Sequence, residues 1–165
     1  MADYIGVVGA AFCDRETADL AYRVGRALAR EGLIVVCGGM GGVMESVARG
    51  VSEEKGVVIG ILPGRDRLEG NRYLTYAIPT GLGDARNAVI ACAADALIAI
   101  AGGFGTLSEI SLARKAGKPV VGLKTWKATN GTGEDLGVVN AATPEEAVAK
   151  ILDLLEDKRR RDNTA

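Results

Sequence analysis

Short apolar runs recur along this chain, each followed by a turn and a stretch whose apolar positions repeat at helical spacing. Tyr4-Ile5-Gly6-Val7-Val8, Leu33-Ile34-Val35-Val36-Cys37, Val57 to Leu62, Tyr76-Ala77-Ile78, Asp95 to Ile100 and Pro119 to Leu123 are the runs. Such near-continuous apolar character predicts parallel strands buried on both faces. Val138-Val139 predicts a last edge strand. Leu20, Val24, Ala27 and Leu28 form the stripe of an amphipathic helix, with Asp14 as its N-cap and Gly32 just past its end. Val43, Met44, Val47 and Val51 mark a second helix, with Gly56 as its stop. Ala85 to Ala94, capped by Asp84, is apolar nearly all round, which predicts burial and a contact with a second subunit. Leu107, Ile110, Leu112 and Ala113 share one face of a fourth helix that ends in Arg114-Lys115-Ala116-Gly117. Thr143-Pro144-Glu145-Glu146 combines an N-cap, a proline at N1 and a capping-box glutamate, opening a closing helix. Pro63 to Arg72 is a polar loop and Lys124 to Gly137 a long irregular excursion. Alternating strands and helices predict an α/β fold, a doubly wound parallel sheet in three α/β/α layers. One domain over 1–157 is expected, with a polar, disordered tail over 158–165.

Two of the turns are rich in glycine: Gly38-Gly39-Met40-Gly41-Gly42 after the second strand, and Ala101-Gly102-Gly103-Phe104-Gly105-Thr106 after the fifth. A glycine turn between strand and helix leaves backbone N–H groups free to bind an anion. Each glycine costs about 0.5–1 kcal/mol of ordering entropy relative to alanine, so such density points to a geometric need. Loops at the carboxyl ends of parallel strands gather on one edge. Both turns are therefore expected to present helix N-termini to one crevice. The candidate phosphate-binding residues are Gly38, Gly39, Gly41, Gly42, Gly102, Gly103, Phe104, Gly105 and Thr106.

At 165 residues and 48 % hydrophobic, the chain can bury roughly 70 % of its unfolded surface. No apolar run reaches the roughly 18 residues of a membrane span, and the sequence enters its first strand with no room for a signal peptide. A cytoplasmic protein with no membrane partner is expected. Net charge is −1, so no basic field favours nucleic acid; Lys158-Arg159-Arg160-Arg161 is a solvated helix end that suits the dipole. Cys37 and Cys92 lie in apolar surroundings and are expected to be buried thiols, with Cys13 in a loop. Histidine is absent, which removes His-based triads and His-ligated zinc and leaves acid–base work to carboxylates, lysine or tyrosine.

Neither glycine turn has the lysine and Ser/Thr of a P-loop, and the first turn, Gly9-Ala10-Ala11, lacks the dinucleotide fingerprint. Clustered carboxylates with metal-ligand spacing are also lacking, so neither a metal ion nor a cofactor is expected. Two charged residues could do chemistry. Arg86, in the first turn of its helix, works against the dipole by about 0.3–1 kcal/mol, which a neighbouring anion would offset; the alternative is an exposed surface arginine. Glu109 lies three residues after Thr106, as in a capping box, and could instead face the crevice.

Gly38-Gly39-Met40-Gly41-Gly42-Val43-Met44-Glu45, Ile61-Leu62-Pro63-Gly64, Thr80-Gly81-Leu82 with Ala85-Arg86-Asn87, and Gly102-Gly103-Phe104-Gly105-Thr106-Leu107-Ser108-Glu109 occur in this order. Together they resemble the LOG-like proteins, once labelled "possible lysine decarboxylases", and especially the bacterial branch similar to the molybdenum cofactor carrier. The resemblance runs from about Tyr4 to Leu123. It implies a Rossmann-like fold, a homodimer or higher homo-oligomer, and glycine loops that hold a nucleotide phosphate, with Asn87 joining the ligand-binding set. It also implies catalytic roles for Arg86 and Glu109 in cleaving the N-glycosidic bond of a nucleoside 5′-monophosphate to free base and ribose 5-phosphate. This chain departs from the hydrolase pattern in three places. LOG enzymes carry Met-His-x-Arg-Lys where Asp84-Ala85-Arg86-Asn87 keeps only the arginine, Pro-Gly-Gly where Ala101-Gly102-Gly103 stands, and serines in the first turn. Two readings follow: a phosphoribohydrolase, or a non-catalytic carrier or sensor of a phosphate-bearing pterin or nucleotide. No pyridoxal-phosphate lysine motif supports decarboxylation.

Overall fold

Seven short apolar segments pair side by side in a computed structural model that describes residues 2–163. They are β1 (Tyr4–Gly9), β2 (Ile34–Cys37), β3 (Val58–Leu62), β4 (Tyr76–Pro79), β5 (Ala96–Ile100), β6 (Val120–Leu123) and β7 (Val139–Asn140). All pairings are parallel, in the order β4-β3-β2-β1-β5-β6-β7. Parallel strands need crossovers, which α1 (Arg15–Arg30), α2 (Val43–Glu53), α3 (Arg86–Ala93), α4 (Phe104–Lys115) and α5 (Pro144–Asp162) supply. α1, α2 and α5 cover one face, packing Val24, Leu28, Val47 and Ile151 against Ile5, Val7, Val35 and Ile98. α3 and α4 cover the other, packing Ile90, Ala91, Ile110 and Ala113 against Val8, Val36, Leu97 and Ala99. This is the Rossmann-like three-layer arrangement.

From the β4 edge the chain crosses back to lay β5 beside β1, in register from Ile5 opposite Ala96 to Gly9 opposite Ile100. The winding reverses there, so the loops after β1 and β5 diverge to opposite faces and open a crevice.

Local signals set most helix ends. Asp14 accepts from the Thr17 amide at 2.8 Å, Gly32 takes φ 70° past α1, and Thr143 accepts from the Glu146 amide at 3.1 Å. Four expectations are corrected. The left-handed residue that ends α2 is Lys55, at φ 57°, and not Gly56, whose amide closes the helix end on the Val51 carbonyl at 3.0 Å and which lies close against Ala29. Asp84 does not cap α3, because Gly83–Ala85 forms a tight 3-10 turn that carries the chain straight into the helix with no side-chain cap. The C-terminus of α3 is held from outside, by Lys118 Nζ donating to the carbonyls of Ala91, Cys92 and Ala94. Nor is α3 buried all round. Only Ile90 and Ala91 are buried, and Cys92, expected inside, is exposed. Last, α5 runs on through residues 158–162 where a disordered tail was expected, with Arg159 paired to Asp3; Thr164 and Ala165 of that segment lie outside the described residues. Among the described residues no helix is long and apolar enough to cross a membrane.

Candidate functional site

The crevice at the carboxyl ends of β1 and β5 holds a cavity of about 290 Å³. β1 and its exit form the floor with Val7, Val8, Gly9, Ala10 and Ala11. Gly38 and Met44 close one side, and Asp84, Arg86, Asn87, Gly103, Gly105, Thr106 and Glu109 the other. A larger groove of about 390 Å³ between α1 and α5 carries Arg23, Arg26 and Arg30. Those guanidiniums already pair with Glu145 and Glu54, so that groove offers an anion little.

The turn after β5 opens directly into a helix. α4 starts from Gly103 as N-cap, with no side chain capping it. The amides of Phe104, Gly105 and Thr106 are thus the orphan donors of a helix N-terminus, and Gly103, Gly105 and Thr106 line the cavity. Thr106 lies inside the helix, so the expected capping box with Glu109 does not form. Phe104 is 82 % exposed and leans on Trp126, ring centroids 5.6 Å apart, outside the cavity lining.

The turn after β2 lies on the same edge but plays a different part. Its helix N-terminus is partly closed, since the Val43 amide donates to the Ala10 carbonyl at 3.0 Å. Gly42 has φ 62°, and a Cβ there would press into the Ala10–Ala11 backbone. Gly41 comes close to the Ala11 carbonyl. The Gly39 and Met40 carbonyls accept from Asn71 Nδ2 at 3.1 and 3.0 Å. Of the four glycines only Gly38 lines the cavity, and a Cβ on it would collide with the Arg86 guanidinium and Met44 Sδ. One open helix N-terminus faces the crevice, where the sequence pointed to two.

Arg86 and Glu109 meet there. Arg86 opens α3 and reaches across to donate Nη1–H to the Ile61 carbonyl at 2.9 Å. Its Nε is buried without a hydrogen-bond partner, which costs the desolvation of a charged donor unless something fills the gap. Burial lowers its pKa while the nearby Glu109 carboxylate raises it. Glu109 is only 7 % exposed. Burial pushes its carboxyl up to about 7, against the lowering effect of Arg86. Among the described residues the two form no ion pair within 4 Å, and the Glu109 carboxyl makes no hydrogen bond. A carboxyl poised between protonated and ionised beside an unsatisfied guanidinium N–H is a recurrent mark of a functional site. Asn87 Nδ2 donates to Ser108 Oγ at 3.3 Å, tying α3 to α4 across the site. Cys37, pushed up to about 11 by burial, is a neutral thiol. No cluster of three His, Cys, Asp or Glu able to hold a metal occurs among the described residues.

Sequence reasoning missed Ala10, Ala11, Met44, Asp84 and Ser108. The small residues after the first strand were a usable signal, because the loop after β1 always borders the switch point. Asp84 and Ser108 are set by how α3 leans on α4, and Met44 by the start of α2 beside Gly38.

The model of the SLOG cluster4 family matches residues 2–148. An uncharacterised protein of Archaeoglobus fulgidus is 45 % identical over 144 residues, 87 % of this chain and 91 % of that protein. The molybdenum cofactor binding protein of Rippkaea orientalis superposes with a TM-score of 0.84 at 32 % identity, covering 94 % of this chain and 98 % of its own. The Moco carrier protein of Chlamydomonas reinhardtii does so at 0.83 and 35 %, covering 95 % and 99 %. By the span of that family match, the chain belongs to the SLOG cluster4 family.

Proposed function

We propose that this protein binds, without turnover, a small phosphate-bearing ligand of the pterin type, as a carrier or sensor. The observation that carries the reading is the pairing, in one cavity, of an uncapped helix N-terminus with Arg86 Nε, buried without a partner, and the carboxyl of the largely buried Glu109. The helix amides suit a phosphate. Arg86 adds charge, and Glu109 accepts from, or when protonated donates to, a hydroxyl or ring nitrogen. A volume of about 290 Å³ sits at the low end of small-molecule sites. It suits the phosphate-bearing end of a ligand whose remainder extends onto the rim. The similarity to proteins described as molybdenum cofactor carriers supports a pterin as that remainder.

The second reading is the phosphoribohydrolase. It is favoured by Glu109, whose carboxyl near 7 could stabilise an oxocarbenium-like sugar or orient water. One experiment separates the two. Purified protein is incubated with molybdenum cofactor and with a panel of nucleoside monophosphates, while bound ligand and free base are measured. Retention of the cofactor with no base released supports the carrier; free base that vanishes in Glu109→Gln supports the hydrolase.

The unit that acts is a homo-oligomer on this reading. The outward positions Ala88 and Cys92 of α3 and Ser108, Ser111 and Leu112 of α4 are exposed and uncharged. The other helical layer is studded with ion pairs. Near a two-fold axis a charge meets its own copy, so a patch of uncharged positions, with Arg114 and Lys115 exposed only at the end of α4, suits a second copy of this chain.

A further inference from the structure

The chain leaves β6 through Lys124, at a left-handed φ of 52°, and folds back over the end of β5. Two side chains of this return segment reach the glycine turn. Thr125 Oγ1 donates to the Ala101 carbonyl at 2.6 Å, and Trp126 Nε1–H to the Gly103 carbonyl at 3.0 Å. Both anchors are themselves fixed. Gly122 makes room for Thr125, since a Cβ there would lie 2.5 Å from the threonine methyl. The Trp126 indole packs against the α3–α4 side of the core and against Phe104.

The consequence follows from amide geometry. In a planar trans peptide the carbonyl and the next residue's N–H point in opposite directions. Drawing the Ala101 carbonyl toward the β6 exit therefore turns the Gly102 N–H away from it, and the Gly103 carbonyl, shared between Trp126 and the Leu107 amide at 3.1 Å, leaves the Phe104 N–H pointing away from both. Among the described residues, none of the amides from Gly102 to Thr106 donates to a backbone carbonyl outside the helix. Ala101 holds φ 46°, a conformation that L-residues persist in only when their surroundings over-determine it. The bonds from Thr125 Oγ1 to the Ala101 carbonyl and from the Ala101 amide to the Leu123 carbonyl at 2.9 Å do that here.

We propose that Thr125 and Trp126 are positioning residues, which act through the Ala101 and Gly103 carbonyls to hold the turn after β5 in its anion-receiving conformation. The inference rests on the reading of that turn as a phosphate cradle, and it adds the β6 exit as the element that aims it.

The test has a ligand-free arm and a binding arm. The variants are Thr125→Val, which keeps the shape and loses the hydroxyl, Thr125→Ser, which restores it, and Trp126→Phe, which keeps a ring and loses the donor. In ligand-free protein, Thr125→Val is expected to move the amide resonances of Gly102 to Phe104 and speed their hydrogen exchange, while Thr125→Ser leaves them near wild type. For ribose 5-phosphate, Thr125→Val and Trp126→Phe should each raise Kd about tenfold, the scale of one lost hydrogen bond, with Thr125→Ser within about twofold. Unmoved resonances in Thr125→Val, or equal disturbance by Val and Ser, would overturn the proposal. If the resonances move as expected but wild-type protein binds neither ribose 5-phosphate nor inorganic phosphate, the positioning role stands and the cradle reading fails.

Discussion

Glu109 is the residue whose surroundings make the sharpest demand. Its carboxyl, ordinarily near 4.5, is raised to about 7 by burial. The folded state thus holds the proton more tightly than the unfolded one, and stability falls as pH rises from about 4.5 to about 7, with the full cost present above 7. Glu109→Gln removes that cost. It should stabilise the protein by about 3 kcal/mol at pH 8 and change little at pH 4, as urea unfolding at the two pH values will show; equal effects at both would refute the assignment. A bound phosphate beside the carboxyl favours its protonated form, so ribose 5-phosphate should bind more weakly above pH 7 in wild type than in Glu109→Gln. Ala101 makes a second demand. At φ 46° it spends about 1–2 kcal/mol on a left-handed backbone. Ala101→Gly should recover about 1 kcal/mol in thermal unfolding. Ala101→Pro cannot adopt that φ and should lose both stability and ligand, so the proline of the LOG pattern is incompatible with the turn as this chain builds it.

At the scale of elements, α4 is the case where stability and function pull apart. Its N-cap is Gly103, with nothing within 4 Å of where a Cβ would stand. An aspartate there could cap the helix with its own carboxylate, gaining a few tenths of a kcal/mol over glycine. It would also place an anion where the proposed phosphate would sit. Gly103→Asp is expected to leave the melting temperature unchanged or slightly raised while abolishing ribose 5-phosphate binding in calorimetry. Retained affinity would show that the phosphate lies elsewhere. The glycine turn before α2 shows the opposite balance. There the glycines serve close backbone contact with Ala10–Ala11, and the helix end is spent on the fold. From composition the two turns were indistinguishable, because glycine density reports that backbones come close and not what they come close to.

For the whole molecule, the contrast between its two outer layers decides how it presents itself. The α1–α2–α5 layer carries arginine–glutamate pairs, whereas Ala88, Cys92, Ser108, Ser111 and Leu112 of the α3–α4 layer are exposed and uncharged, with Arg114 and Lys115 exposed at the end of α4. Beside it, Tyr76 and Ile78 on β4 remain exposed, with no helix above them. A second copy seated on this face would cover both. Ala88→Arg puts like charges near each other across the two-fold and should convert the assembly to monomer in sedimentation velocity without loss of secondary structure. A wild type that sediments as a monomer would end the self-association reading.

The parallel strands and the glycine turns of this fold lay open in the residues, because strands buried on both faces must be apolar throughout and each crossover must begin with a turn; the order of the strands across the sheet did not. Asp14, Gly32 and Thr143 were equally plain, since caps act within a few residues of themselves. Arg86 and Glu109 could be singled out, but not that Arg86 Nε would be buried without a partner beside the Glu109 carboxyl, which depends on α3 and α4 meeting beside β1. Likewise Thr125 and Trp126 stand more than twenty positions from the carbonyls they hold. Local chemistry is written in the order of the residues; which buried groups go unsatisfied, and which helix end stays open, is decided only when distant segments pack.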